Sequence, residues 1–256
     1  MVEGAPTLAI DEAGRATITL NRPRHLNRLH RADLQALRDH LRRLRSAPGV
    51  RALVLTATGR AFCAGFNLDE LGQTDAALQD PQLFEHTVDA LEALPLPTVA
   101  RLNGSVYGGA TDLALACDFR IGVQGMELRM PAAHLGLHYY PSGLQRYVSR
   151  LGLAAAKRLF LLAPTLNTAE LLRIGYLDAA PEPAALDAQV DGVVASLLAG
   201  APLAVTGMKQ SLNEIARGEF NVGPMREREA ACAASADLRE ALAAFKDRRT
   251  PRFSGR

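Results

Sequence analysis

Two short strand-like runs, 52–56 (ALVLT) and 98–102 (TVARL), constrain this chain most. Between them, 83–94 reads as a helix stopped by Pro95 and Pro97. Strand, helix and strand in that order form a βαβ unit, which lays the two strands parallel. The rhythm begins earlier. Residues 7–10 and 16–20 read as strands about the turn 11–14. Leu34, Leu37, Leu41 and Leu44 fall at helical spacing and predict a helix over 31–45. After 98–102 a Gly-rich stretch leads into a predicted helix over 109–116, then a strand over 119–122. Further helices are predicted over 153–162 and 168–174, the latter opened by Asn167 and Thr168 and closed by Gly175. From about 184 the pattern is almost purely helical, in segments 184–199, 202–216 and 225–246. The tail DRRTPRFSGR is basic and lacks periodicity. The expected architecture is α/β, with a core over 1–195 and a helical region over 196–256.

Composition narrows the function classes. Of 256 residues, 48% are hydrophobic and 22% charged, which excludes a disordered chain. The net charge of +2, from 29 basic and 27 acidic residues, argues against nucleic acid as a partner. Cys63, Cys117 and Cys232 form no CxxC pair, which suits a reducing, cytoplasmic location. The first residues show no signal pattern, and no run approaches the roughly 20 apolar residues that span a bilayer. No His, Cys or Asp spacing suggests a metal, and none is expected.

Two segments are unusual. Residues 60–68 (RAFCAGFNL) follow the first run, and 103–118 (NGSVYGGATDLALACD) follow the second. Each lies at the carboxyl end of a predicted parallel strand, where open α/β sheets place ligands. Gly108 and Gly109 then open a helix. Free amides at a helix start carry about half a positive charge and suit a developing oxyanion. Two tight turns account for the same glycines equally well.

AFCAGFNLDEL, followed some forty residues on by NGSVYGGATDLALACDFRIG, resembles the crotonase, or enoyl-CoA hydratase/isomerase, superfamily. The opening NRPRHLN at 21–27, MPAAHLGLHYYPSGLQR at 130–146, LLAPTLNTAELLRIGYLD and the final AALAAFKDRRTPRF extend the resemblance along nearly the whole chain. The resemblance implies a spiral of ββα turns, a C-terminal helical trimerisation region, a homotrimer or dimer of trimers, and a coenzyme A thioester substrate with no separate cofactor. It implies oxyanion donors at the backbone N–H groups of Phe66 and Gly109. Arg24 would approach the CoA phosphates, and Ala61, Cys63, Ala64 and Leu68 would belong to the adenine loop. Arg248 and Arg249 read as solvated arginines before phosphate ligands. Cys63 reads as a packed residue, not a nucleophile.

Hydratases of this superfamily use two glutamates to activate one water, one taking a proton from water and the other delivering one to carbon. The first position is Asp112 here, and the second is Ala132. Asp112 is a candidate catalytic carboxylate or an acid that favours its helix start. Asp118 matches a structural aspartate, and Glu127 is expected on the preceding strand, away from the site. The dienoyl-CoA isomerase branch also carries Asp at the first position, but its further acids match Ala132 and Tyr140. The dehalogenase branch needs a nucleophilic Asp near Tyr140, which is absent. SVYGGA and 136–139 resemble methylmalonyl-CoA decarboxylase, which has His where this chain has Phe66. His134, His138, Tyr139 and Tyr140 complete the polar candidates, with Tyr139 and Tyr140 preferred as catalytic, and Ser142 reads as a turn residue. The expected activity is an acyl-CoA lyase or isomerase that stabilises a thioester enolate. The alternatives are a CoA-thioester decarboxylase or hydrolase, and a silent acyl-CoA binder.

Overall fold

The computed structural model describes residues 3–70, 80 and 82–256. Leu71, the last residue of the AFCAGFNLDEL motif, lies outside them, as do the first two residues of the chain. Strands β1 (Gly4–Ile10) and β2 (Arg15–Asn21) form a hairpin, and helix α1 (Arg31–Arg45) follows. Then come β3 (Ala52–Ala57), α2 (Leu83–Glu92), β4 (Thr98–Leu102), β5 (Val106–Tyr107), α3 (Ala110–Leu115), β6 (Phe119–Gly122) and β7 (Glu127–Arg129). Helices α4 (Pro141–Leu151) and α5 (Leu153–Lys157), strand β8 (Leu166–Asn167) and helix α6 (Thr168–Arg173) lead to four last helices. These are α7 (Leu186–Leu198), α8 (Pro202–Ala216), α9 (Val222–Ala234) and α10 (Ala236–Lys246).

One sheet runs β1-β2-β3-β4-β6, and a second runs β5-β7-β8. Strands β2, β3, β4 and β6 are parallel, with Leu53 opposite Thr98. Because β3 is paired on both sides and covered on both faces, its sequence shows no polar alternation. Leu53 and Leu55 point into the main core with Leu34, Leu37, Leu41 and Leu44 of α1. Ala52 and Val54 point the other way, onto Leu186, Val190 and Val194 of α7. Helix α7 therefore runs through position 195 and packs on the sheet.

Helix α1 spans the predicted residues, and Asp33 fixes its start by accepting the His30 amide at 2.9 Å and the Arg22 guanidinium at 2.9 Å. Two helical expectations are corrected. The predicted 153–162 helix ends at Lys157 and continues as a π turn over Arg158–Leu162, closed by Ala163 at φ +46°. Phe160 in that turn packs 4.7 Å, centroid to centroid, from the ring of Tyr147. The predicted 225–246 helix is two helices. Ser235 takes extended backbone between them, and its hydroxyl accepts the Leu238 amide at 3.0 Å, the usual serine N-cap. Asp118 is structural: Oδ2 accepts the Thr98 amide at 2.7 Å and lies 2.8 Å from the buried Lys209 ammonium, tying α8 to the sheet. No single helix among the described residues is long and apolar enough to cross a membrane.

Candidate functional site

A cavity of about 710 Å³ opens where the segments after β3 and β4 meet. Residues 64–67 run beside 26–29. The Leu29 amide donates to Gly65 O at 2.8 Å, and the Asn67 amide to Leu29 O at 2.8 Å. This pairing uses the groups on either side of Phe66 and leaves its own N–H without an acceptor among the described residues. Across the cavity the Gly108 amide donates to Arg129 O at 2.9 Å, while Gly109, which precedes α3, also has an uncommitted N–H. Gly65 brings the two together. Its φ is +93°, and a Cβ there would stand 2.8 Å from Tyr107 O and 3.5 Å from Gly109 N, so only glycine lets the chains approach this closely. Phe66 and Gly109 both line the cavity. The ring of Phe84 closes over Gly109, with Cζ 2.6 Å from where a Cβ would be.

Most of the wall is apolar or aromatic. Tyr139 and Tyr140 stack at 4.3 Å, and Phe84 lies 6.0 Å from Tyr140. Both tyrosine rings lie against Gly143, where a Cβ would be 2.4 Å from Tyr139. Asp112, Tyr139 and Tyr140 do come together, as a hydrogen-bonded chain. Tyr139 donates to the Tyr140 hydroxyl at 3.3 Å, and Tyr140 donates to Asp112 Oδ2. The tyrosine rings line the cavity, whereas fully buried Asp112 does not. Arg146 holds it, with Nη1 2.7 Å from Asp112 Oδ2, Nε 2.9 Å from Glu92 and Nη2 2.7 Å from Asp89.

Burial pushes the Asp112 carboxyl up from its ordinary range, opposed by Arg146 and Tyr140. Its Oδ1 has no hydrogen-bond partner among the described residues. Burial also raises Tyr139 and Tyr140 well above the usual phenol value, so both remain neutral donors with committed protons. For Arg146, burial alone would lower the value, but Asp112 and Glu92 more than offset it.

The other expected residues divide. Ala64, Leu68, Ala132 and His138 line the cavity; Ala61 and Cys63 are buried behind it. The Cys63 thiol donates to Asn27 O at 3.0 Å, and burial pushes it up to about 12, the state of a packed thiol. Arg24 is exposed, its side chain 3.7 Å from Glu3. Arg249 is held by Glu240 at 2.6 Å. Glu127 is exposed on β7, away from the cavity as expected. His134 lies in the short turn Ala132–Leu135 and does not line the cavity. His138 Nδ1 donates to the Tyr139 carbonyl at 2.8 Å. The sequence reading missed Arg146, Phe84 and Glu85. Their partners are 18 to 57 positions away, and no local pattern marks them.

The architecture and this cleft define a crotonase-fold protein. A family model described as enoyl-CoA hydratase/isomerase matches residues 11–256, and the chain belongs to that family. It is 30% identical to the enoyl-CoA isomerase/hydratase of Mycosarcoma maydis, over 98% of this chain and 96% of that one. It is 29% identical to the crotonyl-CoA hydratase of Syntrophomonas wolfei, over 93% and 94%. The crystal structure of an enoyl-CoA hydratase from Bacillus anthracis superposes with a TM-score of 0.91 at 26% identity, covering 99% of this chain and 100% of that one.

Proposed function

We propose that the chain binds a coenzyme A thioester in this cavity and stabilises the thioester enolate at the amides of Phe66 and Gly109. The observation that carries this reading is the pair of uncommitted N–H groups held side by side by Gly65. A thioester oxygen set between them gains negative charge as the enolate forms, and the donors need no reorganisation to meet it. One such donor is worth about 3–4 kcal/mol of barrier. The exposed Arg24 and the loop carrying Ala61, Cys63, Ala64 and Leu68 would hold the nucleotide end. Asp112 acts as a positioning residue in this reading, fixing the Tyr140 ring in the wall. Exposed apolar side chains on α8 and α10, among them Leu212, Ile215, Leu242 and Phe245, fit self-association as a trimer or a dimer of trimers.

Ala132 on the cavity wall favours a second reading, a CoA-thioester decarboxylase or hydrolase, because it leaves the usual second carboxylate out. A mass-spectrometric time course with enoyl-, malonyl-type and aromatic CoA thioesters separates the two. An unchanged mass with altered absorbance indicates double-bond migration, water gained indicates hydration, and carbon dioxide lost or free CoA indicates the second reading. Thioester binding without any conversion would leave an acyl-CoA binder and overturn both.

A further inference from the structure

Two glutamates are among the described residues that line the cavity, and they differ in what they already hold. Glu70 is committed. Its Oε2 accepts the Arg31 amide at 2.9 Å, and its Oε1 accepts from Asn67 at 3.2 Å and lies 2.5 Å from His30 Nδ1. Glu85, half-buried in the first turn of α2, has one side-chain hydrogen bond among the described residues, accepted from Ser142 Oγ at 3.1 Å. It follows Phe84, the residue whose ring covers Gly109, and Ser142 lies two positions after Tyr140. Glu85 therefore belongs to the same wall as the amide pair. Asp112 is fully buried behind the wall, its Oδ2 held by Arg146 and Tyr140, and does not line the cavity, and Ala132 offers no acid. His138 is exposed, with one ring nitrogen already bound to its own loop.

We propose that Glu85 is the proton-transfer residue of this site, oriented by Ser142. The proposal rests on the acyl-CoA reading above and names the reaction it serves. One carboxylate is enough for a 1,3-proton shift. On a 3-enoyl thioester Glu85 takes the proton from Cα, and the C–H electron pair passes into an enolate whose oxygen lies at Phe66 and Gly109. The same proton returns to Cγ, the double bond settles between Cα and Cβ, and Glu85 is a carboxylate again. Nothing is consumed. Hydration asks for a base toward water and an acid toward carbon in one addition, and among the described residues lining the cavity one carboxylate, Glu85, is not already held by several partners.

The test uses the full chain in deuterium oxide. Two rates are read: Cα proton exchange on a saturated acyl-CoA, and conversion of a 3-enoyl-CoA to its conjugated isomer. Glu85→Gln is expected to lower both by roughly 100-fold or more, while the Kd of the saturated thioester changes less than about threefold. Glu85→Asp recovers part of the loss, and His138→Ala lowers both rates less than Glu85→Gln does. Exchange in the parent that persists in Glu85→Gln overturns the assignment and leaves the enolate reading standing. Loss on His138→Ala with retention on Glu85→Gln moves the role to the histidine. A parent protein that neither exchanges nor isomerises overturns both readings.

Discussion

Arg146 Nη1 lies 2.7 Å from Asp112 Oδ2, and both side chains are almost wholly buried. The same guanidinium also serves Glu92 and Asp89, so one cation from α4 neutralises acids from α2 and α3. Removing it leaves buried Asp112 without its cation and Glu92 with Arg150 alone, at 2.9 Å. Arg146→Ala is expected to cost about 3–5 kcal/mol, read as a shift in the urea unfolding midpoint. Asp112→Asn should cost less than half as much, because Arg146 keeps Glu92 and Asp89. Equal losses would mean that the network does not share its charge as described.

The Gly109 amide and the Phe84 ring are coupled by contact. In Gly109→Ala the new methyl meets Phe84 Cζ at 2.6 Å, so the ring or the start of α3 must shift. A displacement near 1 Å in an active site costs of order 100-fold in kcat. Adding Phe84→Ala to Gly109→Ala should restore about tenfold, a coupling near 1.4 kcal/mol. A double variant no better than the single one would rule out the ring as the obstacle.

Ala132 offers a gain-of-function test. It lines the cavity at the start of a short turn after Pro131. Ala132→Glu places a second carboxylate there and is expected to raise hydration of a 2-enoyl thioester by about 100-fold. The 3-hydroxyacyl product is measured by chromatography. Unchanged hydration would show that position 132 does not reach the reacting carbons.

Acid should release the C-terminal tail. The Arg249 hydrogen bond, with the Arg252 amide, holds the Glu240 carboxyl down at about 2, below its unfolded value near 4.3. A depressed folded value stabilises above the unfolded pKa and is lost as pH falls through the folded one. Protection of the amides within 248–252 against hydrogen exchange, relative to the free chain, should therefore fall between about pH 4.5 and 2. Arg249→Ala should remove that step; an identical profile in the variant would assign it elsewhere.

Much of the frame was legible locally. The wholly apolar 52–56 run reads as a covered parallel strand because neither face of such a strand meets water. The leucine spacing of α1 reads correctly because a helix repeats every 3.6 residues. Family membership followed from the Gly-rich motifs after β3 and β4. Strands β5 and β8 were missed because two residues carry no period. The break at Ser235 was missed because a serine cap looks like any helix serine until its hydroxyl finds the Leu238 amide.

The sequence by itself determined the α/β class, the order of the main elements and the two loops that meet at the cleft, since these depend on side-chain period and on glycine placement. Tertiary structure alone decided which polar groups are spent. Asp112, a catalytic candidate on the page, is bound by Arg146 from 34 positions away. Glu85, which no motif marks, lines the cavity with one side-chain hydrogen bond among the described residues. The physical reason is that a group's availability depends on its neighbours in space, and burial and pairing are set only when distant segments pack.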